Sequence, residues 1–179
     1  MLPFVIIRRI MLIIVEGIDR VGKTTLCNML KDKLGFKIYK HKNDNFNYSK
    51  MDNDNETDKM LQLLDLYEQI GSDVNIVFDR FHWSDFVYGK IERNYNEDKA
   101  VSNLYKITKR LNDLNALVIF VKPTNLCESS KQHGRNLSMY NRSMEECFKR
   151  SESIIREVMT DYTGLQSVVE KVKEIMEEN

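Results

Sequence analysis

The chain has 179 residues, the size of one domain able to bury a core of its own. Apolar residues make up 42% and charged residues 30%, which argues against a disordered tail or a membrane protein. Lys+Arg (27) balances Asp+Glu (27), which argues against a protein that coats nucleic acid or an anionic membrane, although a local basic cluster can still hold phosphates.

Residues 1–15 are very apolar, but Arg8 and Arg9 split them into runs far short of the ~20 residues that cross a bilayer. Residues 1–10 read as an N-terminal extension, with Met11 as an alternative start. Residues 11–15 form a fully apolar run ending in Glu16-Gly17 and predict a buried strand. From Gly22 the period changes: Leu26, Met29, Leu30 and Leu34 recur at helical steps, and Gly35 is a stop signal. Residues 36–39 predict a second strand. Residues 43–58, with five Asn and four Asp, predict a loop. Residues 59–70 predict a helix, 74–78 a third strand followed at once by Asp79-Arg80, and 84–93 and 98–114 two more helices. Residues 116–121 predict the fourth strand, 129–142 a polar lid segment, 143–159 a helix and 167 onward another. No fifth strand stands out; residues 162–166 are a weak candidate.

Strands alternating with helices predict a single three-layer α/β domain, a central parallel sheet flanked by helices. Such folds bind ligands at the carboxyl ends of their strands. The three cysteines, Cys27, Cys127 and Cys147, are odd in number, widely spaced and without a CxxC pair. They read as free thiols, which fits a cytoplasmic location.

Residues 17–24, Gly-Ile-Asp-Arg-Val-Gly-Lys-Thr, match GxxxxGK[ST] between the first strand and the first helix. Gly17 and Gly22 let the backbone turn its N–H groups inward at phosphate oxygens, with Asp19, Arg20 and Val21 between them and Thr25 following. The helix N-terminus adds its positive dipole end. Lys23 is placed for the β- and γ-phosphates of ATP, and the Thr24 hydroxyl for a magnesium ion. No NKxD motif and no DxxG after strand three points to a guanine-nucleotide switch. Instead Asp79 can organise magnesium or take a proton, and Arg80 can hold a second anion in its guanidinium fork. That pairing suits phosphoryl transfer to an acceptor.

The stretch IIVEGIDRVGKTT, residues 13–25, resembles the EGxDRxGK[ST]T version of the P-loop found in the thymidylate kinase family of nucleoside monophosphate kinases. Residues 79–88, DRFHWSDFVY, resemble the same family's DRYxxSxxAY pattern. The resemblance implies a P-loop fold and an ATP- and magnesium-dependent kinase acting on a nucleoside monophosphate, a deoxynucleotide such as dTMP. It implies that Asp19 contacts the acceptor sugar and Arg20 reaches the transferred phosphates. It further implies that Arg80 holds the acceptor phosphate, Asp79 orders magnesium, and Ser84 and Tyr88 line the acceptor pocket. Proteins of similar build often pair as homodimers. The chain departs from the family after strand two, where Tyr39-Lys40-His41-Lys42-Asn43 replaces an arginine-bearing motif, so Lys40 or Lys42 would act as point charges. In the lid segment Arg135 or Arg142 can close over ATP, with Gly134 as a hinge. His82 and Trp83, beside Arg80, either touch a base or pack a helix start.

Two alternatives stay open. One is a deoxynucleoside kinase of similar fold. The other is a nucleotide-binding ATPase or regulatory protein with no small-molecule acceptor. Small-molecule nucleotides are the expected partners in each case, with neither nucleic acid nor membrane.

Overall fold

The computed structural model describes residues 11–40, 53–70, 74–125, 131–132 and 135–178. Five strands form one parallel sheet: β1 (Leu12–Glu16), β2 (Lys37–Lys40), β3 (Ile76–Asp79), β4 (Leu117–Val121) and β7 (Arg156–Thr160), in the order β2-β3-β1-β4-β7. The three-layer α/β reading therefore holds. β1 and β4 are buried at every residue, as their unbroken apolar runs require of central strands covered on both faces. β1 pairs with β3 through Val15 and Asp79, and with β4 through Glu16 and Phe120. All five carboxyl ends thus rise at one end of the sheet.

The helices are α1 (Lys23–Leu34), α2 (Asn53–Ile70), α3 (His82–Glu92), α4 (Glu97–Asp113), α5 (Leu137–Ser151) and α6 (Leu165–Glu177). Gly35 ends α1 in the left-handed region (φ 75°), its N–H on Lys31 O, while Phe36 N–H reaches back to Leu30 O. α6 buries Leu165, Val168, Val169, Val172 and Ile175. In α3, Trp83 is fully buried, edge-on to Phe120 of β4 and Phe148 of α5.

Three expectations are corrected. α2 begins at Asn53, so residues 53–58 of the expected loop are helical. Asp54 and Glu56 favour the positive end of that helix, and Asp54 is anchored by Lys99 and Asn103 of α4. The rest of that loop and residues 1–10 lie outside the described residues. The helix expected over 143–159 starts earlier and breaks after Ser151; residues 156–160 form β7, the fifth strand. β7 is an edge strand with only Thr160 buried, so it lacks the apolar run that marked β1 and β4. The weak strand candidate at 162–166 is instead a 3₁₀ turn, Tyr162–Gly164, leading into α6.

The expected lid segment also divides. Its middle forms a two-stranded hairpin, β5 (Lys131–Gln132) with β6 (Arg135–Asn136), and from Leu137 it is α5, capped by the Asn136 side chain on Ser138 N–H. Gly134 and the side chain of Arg135 lie outside the described residues. Cys27 and Cys147 are buried free thiols, whereas Cys127 lies outside the described residues. No helix among the described residues is long and apolar enough to cross a membrane.

Candidate functional site

The loop after β1 is bent tightly over the end of the sheet. Gly17 sits at φ 145°, and a Cβ there would lie 2.3 Å from the backbone oxygen of Val121 at the end of β4. Only glycine fits that approach. Val21 turns its side chain into the core, and Gly22 (φ 102°) starts α1. Arg20 has a positive φ of 62°, unusual for a side chain of its size, and is exposed at the mouth of the cleft. Arg80 repeats the pattern at φ 75°. Two arginines in the left-handed region face one cavity, and such backbone strain concentrates at functional sites.

That cavity is a polar cleft of about 510 Å³. The cradle supplies Asp19, Arg20, Gly22, Lys23, Thr24 and Thr25, the end of β2 Lys40, the end of β3 Asp79 and Arg80, and the turn after β7 Tyr162. Lys23 is 5% exposed, and its Nζ donates to the carbonyl of Ile18 within the loop. Burial, aided by the nearby Arg80 guanidinium, pushes its pKa down to about 7, against the pull of Asp19, Asp79 and Glu16. An incoming phosphate would restore the charge.

Asp79 is buried, accepts a hydrogen bond from Thr24 Oγ1 at 2.9 Å and lies 3.7 Å from Lys40 Nζ. A hydroxyl and a carboxylate are thus side by side, a pair of hard oxygen donors that fits magnesium completed by phosphate oxygens and water. Lys40, at the tip of β2, takes the place expected for either Lys40 or Lys42; Lys42 lies outside the described residues. Arg80 forms an ion pair with Asp19, donates to Tyr88 Oη at 3.3 Å and stacks over the Tyr88 ring, 5.4 Å from its centroid. The two sequence motifs therefore meet in space through Asp19–Arg80 and Thr24–Asp79.

Other expected residues fall elsewhere. Ser84 is 8% exposed, and its hydroxyl donates to Glu16 at 2.6 Å. Tyr88 lies beneath Arg80 as its support. His82 is fully enclosed, and burial pushes its pKa down to about 3, so it is neutral at physiological pH. It packs the start of α3 against Phe81 and Trp83.

Sequence reasoning missed Glu16, Tyr162 and a second cavity. Glu16 stood in the open as a charged residue ending an apolar strand, a signal that a buried partner must exist. Tyr162, 58% exposed, lies over Gly22, where a Cβ would meet its ring at 2.7 Å. The second cavity, about 340 Å³, is walled by Tyr39, Met60, Leu63, Leu66 and Phe81, with Lys59 and Gln62 at its edge. It adjoins the cleft: neighbouring residues part between the two, Lys40 and Arg80 facing the polar side, Tyr39 and Phe81 the apolar side.

No model of a known protein family matches the chain. No curated protein matches it either. Solved structures do. The YorR protein from Bacillus subtilis, crystallised in complex with phosphorylated GDP, superposes with a TM-score of 0.68 at 20% identity, over 93% of this chain and 95% of that one. Deoxyadenosine kinase from M. mycoides, with the products dCMP and dCDP bound, gives 0.55 at 20% identity, over 92% and 100%. Polyphosphate kinase 2 from Arthrobacter aurescens gives 0.53 at 14% identity, over 86% of this chain and 61% of that one. The chain has the fold that these proteins share.

Proposed function

We propose that the protein is a P-loop kinase that moves the γ-phosphoryl group of ATP onto a nucleoside monophosphate. One observation carries this reading: two cationic side chains, Lys23 of the cradle and Arg80 after β3, line the same cleft as the hydrogen-bonded Thr24–Asp79 oxygen pair. A nucleotide hydrolase needs the first cation. A second, forked cation suits the phosphate of an acceptor. The adjoining apolar pocket, with the Tyr39 and Phe81 rings, is of a size and character to take a nucleobase.

The chain's own residues then divide the work. The cradle N–H groups and Lys23 orient the triphosphate, and Arg80 orients the acceptor phosphate so that its oxygen faces the γ-phosphorus in line. Arg20, exposed at the mouth, is placed to neutralise charge on the equatorial oxygens. Thr24 and Asp79 would hold magnesium, which when bound shields the phosphate charges. The names of the structural neighbours, nucleotide- and nucleoside-handling kinases among them, support the class of reaction.

A second reading, in which the acceptor is a deoxynucleoside and Arg80 serves its 5′ oxygen, is prompted by the name of one structural neighbour, a deoxyadenosine kinase. ADP release from Mg-ATP across ribo- and deoxynucleosides and their monophosphates, with a control lacking acceptor, separates the readings. Turnover with one monophosphate is expected. Turnover with nucleosides alone would establish the second reading, and ADP equal in all wells would leave only a hydrolase.

A further inference from the structure

Glu16 is the last residue of β1 and directly precedes the first glycine of the cradle. It is fully buried. Among the described residues no lysine or arginine forms an ion pair with it; its carboxylate is held by donors from the start of α3. Oε1 accepts from the backbone N–H groups of Phe81 (2.9 Å), Trp83 (2.9 Å) and Ser84 (3.3 Å), and Oε2 accepts from Ser84 Oγ (2.6 Å). A helix leaves its first N–H groups without intrahelical partners, and the residue before α3 is Phe81, whose side chain cannot cap them. Glu16 does so from 65 residues away. Arg80 lies immediately before these donors and is fixed on its other side by its own N–H on Val15 O (3.0 Å). The left-handed φ of Arg80 is therefore clamped between β1 and the Glu16 carboxylate.

We propose that Glu16 is a positioning residue for Arg80, a buried brace that fixes the distance between the phosphate cradle and the acceptor-binding arm. A carboxylate suits the task better than an amide, since both of its oxygens accept, whereas one end of an amide must donate. A brace of this kind is felt at the acceptor, because the cradle is held independently by Gly17 against β4 and by α1. The proposal rests on the reading of Arg80 as the acceptor arm.

The test is a double-mutant cycle of Glu16→Gln and Arg80→Ala in steady-state kinetics, with hydrogen exchange as a readout that does not need activity. In the Arg80-containing protein, Glu16→Gln is expected to raise the acceptor KM about tenfold or more while the ATP KM moves less than about twofold. In the Arg80→Ala background the same change is expected to cost nothing further. Equal effects on both substrates, or additive effects in the two backgrounds, would overturn the proposal. Should Glu16→Gln fail to fold, Ser84→Ala, which removes one of the four donors, is expected to shift the acceptor KM in the same direction and less; an unchanged KM split there would count against the brace. Exchange at the amides of Phe81, Trp83 and Ser84 is expected to quicken in the Glu16 variant while α1 stays protected, and unchanged exchange would overturn it. If no acceptor is phosphorylated even by the unaltered protein, the proposed function fails, while the exchange result still decides whether the brace exists.

Discussion

Lys23 carries its charge at a place where the fold resists it. With its pKa lowered to about 7 from 10.5, the folded chain binds the Lys23 proton less readily than the unfolded chain does. The resulting penalty is absent above pH 10.5, grows as the pH falls towards 7 and is fully present below it. Lys23→Met should therefore raise the melting midpoint at pH 7 even as it lowers turnover by orders of magnitude. A gain of about 1 kcal/mol moves the midpoint of a domain this size by about 2–4 °C. Melting curves from pH 6 to 10 should show the gap closing as the pH rises. A variant no more stable at pH 7, or one with near-normal turnover, would contradict this account. His82 works in the same sense at lower pH. Its pKa is about 3 in the folded chain and 6.5 when unfolded, so the native state loses stability as the pH falls below 6.5, by about 1.4 kcal/mol per pH unit. Among the described residues neither ring nitrogen has a hydrogen-bond partner. His82→Leu should be close to neutral at pH 7 and flatten the decline between pH 6 and 4 in urea titrations. An unchanged acid limb would show that other groups govern it.

Among the elements, the cradle is the least tolerant of substitution. The Cβ introduced by Gly17→Ala would face a backbone oxygen, which cannot swing aside as a side chain can. That change should cost several kcal/mol by the combination of strain and collision, measured by denaturant unfolding, and should abolish triphosphate binding. At Gly22 the obstacle is the Tyr162 ring, which can move, so Gly22→Ala should be milder. The contrast mirrors what was legible in advance. The cradle, α1 and Asp79-Arg80 are written in contiguous residues, and local order revealed them. β7 has polar residues on an edge, and no periodicity separated it from the end of α5. The start of α2 depends on Asp54 meeting Lys99 and Asn103, a contact across more than 40 residues. The role of Glu16 likewise exists only once β1 and α3 are side by side.

On the scale of the whole molecule, the strand order sets the site. β1 lies between β3 and β4, with the chain passing first to one side and then to the other, and the crevice opens where the direction switches. The cradle occupies that point. Lys40, Asp79 and Arg80 are delivered to it because their strands end at the same height, as the parallel register of Lys40 with Asp79, and of Asp79 with Val15, requires. The Thr24–Asp79 pairing could be anticipated from the two motifs. The partition of the site into a polar cleft and an apolar pocket could not, because it arises from the alternation of Tyr39 with Lys40 and of Arg80 with Phe81 across adjacent strand ends.

The single tryptophan of the chain is Trp83, sealed from water in the first turn of α3 between Phe120 and Phe148. Its amide touches the brace, and its indole touches both the central sheet and α5. The protein therefore carries an internal lamp at the junction of its layers. Its native emission should be short in wavelength and should shift to the red only when that junction opens. Because no other indole contributes, light from one position would report whether a ligand in the cleft loosens or tightens the helix that presents Arg80.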